Sequence, residues 1–498
     1  MATAAAAYPA RVSHRIASRG RPRIRGRRAR RVAALVPLLV LGLPAVVQAH
    51  SIVGRIDSPL PFVAYILGAA IAVAASFVII AVGDPSPPTE GATPPPRVVP
   101  RWLRLTLRAI GLSAWIWIVL QAVAGGTSDA DVAFLFLWVY GWVGMPLLCA
   151  FVGPVWSWID PFSTLYDIIA WIGRRLGLSG VTPQPWPARF DIWPAVAGFA
   201  FFVWLELVAF VLQGRVLSMV MIGYTVITLL GMAQYGRDTW RRHGETFSVW
   251  FALVGRLAPY ALADEPETGR VIRRPFARGL VTGRWTLATV VLVSLGTGSI
   301  IFDGLSQTQQ FFDLFSRPAL PLATLIIGVF LGGLTALVVL VSRSTGLAAV
   351  GAGLLPVALG YLVAHYLSYL LADGQRIVVA ISDPLQQGWD LFGTAFFEPN
   401  LTWIPTSAFW SIQVGAVIVG HIVGAWAGHA VAARERGTEH GRGRVARADQ
   451  RRTELRAQLP LAILMVGLTA VTLWSLGQRL VFETEPERPM PAAVTGPR

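Results

Sequence analysis

The sequence predicts an all-α, polytopic membrane helix bundle of about ten transmembrane helices following a signal peptide. Three observations predict it. Of 498 residues, 54% are apolar and only 14% charged, where soluble domains carry about a quarter. The mean hydropathy is +0.57. The 42 basic residues, all arginine, fall in short runs between long apolar stretches, the pattern of a chain threaded through a bilayer. The net charge of +15 would suit nucleic acid only if the arginines lined one folded face; their alternation with apolar segments makes the lipid bilayer the expected partner and nucleic acid not. The single cysteine, Cys149, excludes an intramolecular disulfide and a cysteine-rich metal cluster.

Taken in order, the first 31 residues hold ten arginines and no acid. The apolar stretch Val32–Val46 follows, and Val47-Gln48-Ala49 offers small residues at −3 and −1. This reads as a signal peptide over residues 1–49, cleaved to leave His50 as the mature N-terminus. An uncleaved helix broken at Pro44 is the alternative, giving eleven spans and a cytoplasmic N-terminus. Stretches of ~20 apolar residues then predict a bundle over residues 50–482, with spans at Pro61–Gly83, Ala109–Gly125, Val132–Phe151, Ile192–Gln213, Val216–Gln234, Trp285–Phe302, Leu320–Ser342, Gly346–Ala372, Ala408–Ala432 and Leu459–Phe482. Gly153–Gly173, with Pro154, Pro161 and several tryptophans, reads as an interfacial or re-entrant element. Phe247–Tyr260, with Arg256 and Pro259, reads as an amphipathic surface segment.

The loops orient the bundle. Asp84–Arg108 has four arginines and two acids, Tyr235–Arg284 nine and five, and Ala433–Arg456 eight and four. The alternate loops, at Asp129 and Asp131, Asp303–Arg317 and Asp373–Ser407, are neutral or acidic. The positive-inside rule then places the C-terminal tail, residues 483–498, outside the plasma membrane of a bacterial cell.

Titratable residues inside a bilayer cost roughly 2.5–3.5 kcal/mol each on insertion scales and so need a reason. Glu206 and His365 each stand about seven residues, ~10 Å, below the outer end of their spans, which makes a Glu206–His365 pair the expected centre. Asp303 sits at the same side. His421 and His429 occupy the ninth span beside the small-residue run Gly420, Gly424, Gly428, which lets another helix approach closely. Tyr361, His365 and Tyr369 form a polar stripe at i, i+4, i+8. His50, with its α-amine and imidazole, would suit Cu(II) or Zn(II), with His365 and Glu206 as further ligands. The outer loop Asp373–Ser407 is long enough to be functional and carries Asp383 and Asp390.

Several phrases together carry a family resemblance: Ala49-His50-Ser51-Ile52-Val53-Gly54-Arg55, Val155-Trp156-Ser157-Trp158-Ile159-Asp160-Pro161-Phe162, Gly244-Glu245-Thr246-Phe247-Ser248-Val249, Phe302-Asp303-Gly304, Ala364-His365-Tyr366, Asp383-Pro384 with Gly388-Trp389-Asp390, and Gly420-His421 to Gly428-His429. The chain resembles the multi-pass membrane proteins of actinobacteria and some proteobacteria labelled fenitrothion hydrolase, over about residues 49 to 482. It departs from them at Asp160-Pro161-Phe162, where they usually have Asn-Pro-Trp. The resemblance implies hydrolysis of an organophosphate triester, a reaction that needs activated water and charge stabilisation at phosphorus, usually from metal ions. His50, Glu206, Asp303 and His365, joined by Asp383 and Asp390, would supply ligands or a base.

Three functional classes follow. One is a metal-assisted membrane hydrolase with a small-molecule substrate. The second is a transporter or metal-handling permease in which Glu206, His365, His421 and His429 form a proton or ion relay. The third is a non-catalytic scaffold whose polar groups fix helix packing.

Overall fold

Among the described residues, nine helices are long and apolar enough to cross a bilayer, and they coincide with nine of the ten expected spans. The computed structural model describes residues 67–68, 70–71, 74, 95–126, 128, 130–178, 180, 182–209, 215–316, 318–439 and 447–477. The expected leader, His50 and the C-terminal tail lie outside them. Of the first expected span only five residues are described, all helical. The protein is an all-α, multi-pass membrane protein.

The spans are α1 (Arg101–Ala124), α2 (Val132–Phe151), α4 (Trp193–Leu207), α5 (Arg215–Tyr235), α9 (Leu287–Ser306), α10 (Leu320–Thr345), α11 (Leu347–Asp373), α12 (Thr406–Glu439) and α13 (Arg447–Gly477). Shorter helices α3 (Pro161–Arg175), α6 (Arg237–His243), α7 (Thr246–Val254) and α8 (Arg278–Thr282) lie in the connections. Helices α9 and α11 form the centre: residues such as Val290, Ile300, Val350 and Ala364 are fully buried. By contrast α10 presents Leu325, Val329 and Leu340 outward, a face that lipid would cover.

The small-residue run on α12 does what its spacing predicts. A Cβ at Gly424 would stand 2.3 Å from the Gly353 carbonyl oxygen of α11, and one at Gly420 2.6 Å from that of Pro356. Only glycine permits this backbone approach. In α2, residues Leu135–Gly144 adopt π-helical turns, the Met145 N–H reaching back five residues to the Tyr140 carbonyl. This stretch sets Trp138 and Trp142 against Phe199 and Phe202 of α4.

Two connections correct or refine the sequence reading. Phe247–Tyr260 does not lie on the surface: in α7, Val249, Trp250, Phe251, Leu253 and Val254 are all buried. Its apolar residues run round the whole helix, so no polar face remains to meet water; Arg256 and Pro259, which suggested a surface segment, lie beyond its end. Asp160 caps α3, accepting from the Phe162 and Ser163 N–H groups at 2.8 and 3.4 Å, with Pro161 preset at the first helical position. Helix α3 exposes Ile168, Ile169, Trp171 and Ile172, as an interfacial element would. The all-α class holds beside one small antiparallel sheet on the arginine-rich side, β1 (Arg97–Val98), β2 (Tyr260–Leu262) and β3 (Arg270–Arg273), with β3 central.

Candidate functional site

Helices α4, α9 and α11 run in the same direction and end together on the arginine-poor side. Glu206 is the penultimate residue of α4 and Asp303 lies in the last turn of α9, while His365 and Tyr366 lie two turns before the end of α11. Their side chains meet. His365 Nε2 bonds Asp303 Oδ2 at 2.8 Å, and Gln307 Nε2 donates to Asp303 Oδ1 at 2.8 Å. The Tyr366 hydroxyl donates to Glu206 Oε1 at 3.3 Å, and the Tyr366 ring stands edge-on to His365, centroids 4.6 Å apart.

Glu206 and His365 therefore share one cluster without bonding each other: Asp303 takes the imidazole and Tyr366 the glutamate. Asp303 and His365 are 15% and 13% exposed, so neither is sealed inside the bundle. Gly304 makes the room, since a Cβ there would stand 2.6 Å from the Tyr361 hydroxyl. The buried Trp142 ring packs on Phe199 and Phe202, which share α4 with Glu206. The Trp142 indole nitrogen stands near the Glu206 carboxyl without reaching hydrogen-bond geometry, and Glu206 Oε2 is buried with no hydrogen-bond partner.

A line of hydroxyls leads inward from this cluster. The Tyr361 ring lies 5.7 Å from His365, and its hydroxyl meets Ser475 Oγ at 2.8 Å. Ser475, Thr472 and Thr469 follow at three-residue steps on one face of α13, the first two donating to the carbonyls of Thr472 and Thr469. All three are buried. Thr469 Oγ1 then meets His421 Nε2 at 2.7 Å, while His421 Nδ1 bonds the Val417 carbonyl. His429 Nδ1 pairs with Gln458 Oε1 at 2.9 Å. Both histidines thus join α12 to α13. Sequence reading missed Tyr366, Gln307 and this hydroxyl row. The signal available was the i, i+3 spacing of Thr469, Thr472 and Ser475 in an otherwise apolar span.

The outer-loop aspartates have their own partners. Asp383 accepts from Ser128 Oγ (2.6 Å), Gln387 N–H (2.8 Å) and Gly388 N–H (2.9 Å). Burial pushes its carboxyl up, but these bonds outweigh burial and hold it below the usual carboxylate range. Asp390 accepts from the Ala395 N–H and Ser382 Oγ at 2.9 Å each, which lower it likewise. Both organise the loop.

Glu206, Asp303 and His365 do not gather their ligand atoms as a three-residue metal set would. Among the described residues that set is Asp238, Glu265 and Glu267, within 4.8 Å of one another on the arginine-rich side. Those carboxylates pair with Arg237 and Arg242, so arginine already supplies their counter-charge. Comparison with protein-family models, with curated proteins and with solved structures finds no match.

Proposed function

We propose that this membrane protein is a permease or relay that loads a proton or small cation at the Glu206–Tyr366–Asp303–His365 cluster, with the hydroxyls of Tyr361, Ser475, Thr472 and Thr469 marking a polar route inward to His421 that opens when they turn from their backbone acceptors. One observation carries the reading: Glu206 Oε2 is buried and makes no hydrogen bond, even to the neighbouring Trp142 indole N–H, which is likewise unpaired, while both oxygens of its neighbour Asp303 are engaged. A buried carboxylate oxygen without a donor costs several kcal/mol. A proton or cation on Glu206 removes that cost, and a group that needs a removable positive charge is a loading site. The positive-inside bias of the loops supports an outer position for this cluster, so that passage toward His421 would run toward the arginine-rich side.

The test is proton uptake by the purified protein in liposomes carrying an internal pH dye. Glu206→Gln, which keeps the shape and the Tyr366 bond but not the titratable oxygen, should lower the flux at least tenfold. Tyr361→Phe, which cuts the contact to Ser475, should slow it while leaving Glu206 intact. Flux unchanged in Glu206→Gln, or no flux in the wild type under an imposed pH gradient, would overturn the reading.

The second reading, implied by the resemblance, is phosphotriester hydrolysis. It is favoured by the Asp303–His365 bond, the arrangement that orients an imidazole as a general base: Nδ1 of His365 has no partner among the described residues and would accept a proton from water. Whether zinc or copper assists there is decided by elemental analysis of the purified protein. Turnover of a nitrophenyl triester that His365→Gln abolishes, in liposomes with no proton flux, would select this reading.

A further inference from the structure

We propose that a pocket on the arginine-rich side binds an organic phosphate monoester between Arg256 and Arg274. The cavity measures about 790 Å³ and lies among α7, the short helix Trp156–Ile159 and the β2 region. Its wall is mixed: Trp156, Phe251 and Tyr260 give aromatic surface, Ser157 and Ser248 hydroxyls, and four arginines and three acids the charge.

The charges do not cancel evenly. Each acid of the wall already holds an arginine: Asp264 pairs with Arg270 at 2.9 Å, Glu265 with Arg242 at 2.7 Å, and Asp238 with Arg237 at 3.2 Å. Arg241 turns to the buried Asp160 at 3.4 Å. Arg256 and Arg274 remain, and among the described residues neither forms an ion pair. Their fixed partners are neutral. Arg274 donates to the Ala258 and Gly255 carbonyls at 3.0 and 2.7 Å. Arg256 donates to the Arg284 carbonyl at 2.8 Å and stacks over Trp285 at 4.4 Å, while its Nη1 is buried with no acceptor. Burial, and then the charge of Arg274, pushes the Arg256 guanidinium down to about 10. Two neighbouring guanidiniums are thus held at the cavity by neutral partners alone, with no carboxylate to offset their charge.

The chemistry of that anion follows from the number of charges. A carboxylate offsets one guanidinium. A phosphate monoester carries close to two charges and enough acceptor oxygens for two planar forks. A cavity of this size exceeds inorganic phosphate, and its aromatic wall would take the organic part. The ester is either a soluble nucleotide-like molecule or a lipid headgroup of the inner leaflet, and the two differ in how they reach the site.

The experiment measures binding to the purified full-length protein by tryptophan fluorescence and calorimetry. Adenosine monophosphate in detergent is the soluble probe, and nanodiscs with or without phosphatidic acid supply the lipid one. At least one ester should bind, and the double substitution Arg256→Gln with Arg274→Gln should weaken it at least tenfold. Tighter binding of the nucleotide assigns a soluble ester, and retention of phosphatidic acid a lipid. Ser157→Asp guards against misfolding of the double variant: it adds negative charge to the wall without touching either guanidinium and should also weaken binding severalfold. Arg343→Gln, an exposed arginine in the last turn of α10 and outside the cavity wall, should not. The proposal is independent of the outer cluster, so Glu206→Gln should bind the ester normally. It fails if neither ester binds, or if both arginine and Ser157 variants bind like wild type.

Discussion

The two ends of the bundle present the same electrostatic problem with opposite signs. On the arginine-poor side, two carboxylates share a cluster with one imidazole, and one glutamate oxygen has no donor. On the arginine-rich side, two guanidiniums line a cavity whose acids are all committed to other arginines. Uncompensated charge in low dielectric is expensive in either case, and the sign of the deficit identifies the ligand that would relieve it. On that argument a proton or cation would relieve the arginine-poor end and an anion the arginine-rich end. The difference also separates these two places from their charged surroundings. Asp383 and Asp390 beside the outer cluster, and Asp238 and Glu265 beside the inner cavity, are satisfied by their own neighbours.

The largest expected effect comes from removing the group that holds the outer cluster together. Asp303→Ala takes the partner from His365 and the acceptor from Gln307 at once. Breaking a buried pair from one side costs about 3–5 kcal/mol; because both side chains keep some exposure, a loss near the lower end, about 3 kcal/mol, is expected. Thermal melting in detergent measures it. A drop as large in the Arg256 and Arg274 double variant would break the comparison, since there the loss of carbonyl bonds and of the Trp285 stack is offset by the removal of unpaired charge.

A smaller effect is expected at Asp383, where an outer carboxylate is fully served. Asparagine keeps one acceptor oxygen but sets an NH₂ group against donors from Ser128, Gln387 and Gly388, a loss of about 1–3 kcal/mol. Its carboxyl is held low in the fold, so its stabilisation is complete at neutral pH and disappears only as the pH falls through that lowered value. Limited proteolysis of the 383–405 loop should therefore be faster in Asp383→Asn at pH 7, with wild type approaching the variant only in acid. Equal cleavage at pH 7 would show that the loop is held by other contacts, such as Trp117 Nε1 to the Pro384 carbonyl at 2.7 Å.

Much of this was legible in the sequence, and what was not has physical reasons. Span positions follow from apolar length, and the close contact of α11 with α12 from the Gly420, Gly424, Gly428 spacing. That Glu206 and His365 share one end follows from the expected depths, although Glu206 is the penultimate residue of α4 rather than seven residues from the end of its span, while His365 stands two turns from the end of α11. Depth along a helix fixes height but not azimuth, which is why Asp303 rather than Glu206 proved to be the partner of His365. Tyr366, one residue beyond His365, projects in a different direction from the Tyr361–His365–Tyr369 stripe, so the stripe could not reveal its bond to Glu206. The inner cavity was illegible for a different reason. Nine arginines and five acids in Tyr235–Arg284 read as one solvated basic loop, and only the folded pairing separates Arg256 and Arg274 from the rest. The burial of α7 depends on Trp250 packing with Trp142 and Phe199, contacts between residues about 50 to 110 positions apart.

The smallest expected effect tests whether an acid among the inner arginines behaves like those outside. Glu245 caps α7, accepting from the Phe247 and Ser248 N–H groups and from the Tyr224 hydroxyl. Even so, burial first and the charge of Asp160 second push its carboxyl above the usual range, the reverse of Asp383. The sign of the pH response is then reversed too. Between the ordinary glutamate range and the raised value the folded state binds more protons than the unfolded one, so stability falls as the pH rises through that window. Glu245→Gln keeps one capping oxygen and removes the charge facing Asp160, and should flatten that part of the melting-temperature profile while costing little at acidic pH. A profile for Glu245→Gln that still falls with wild-type slope would assign the decline to another group. One that falls more steeply would mean that the Arg241–Asp160 pair relies on the Glu245 charge, and that the inner side balances its acids collectively rather than pair by pair.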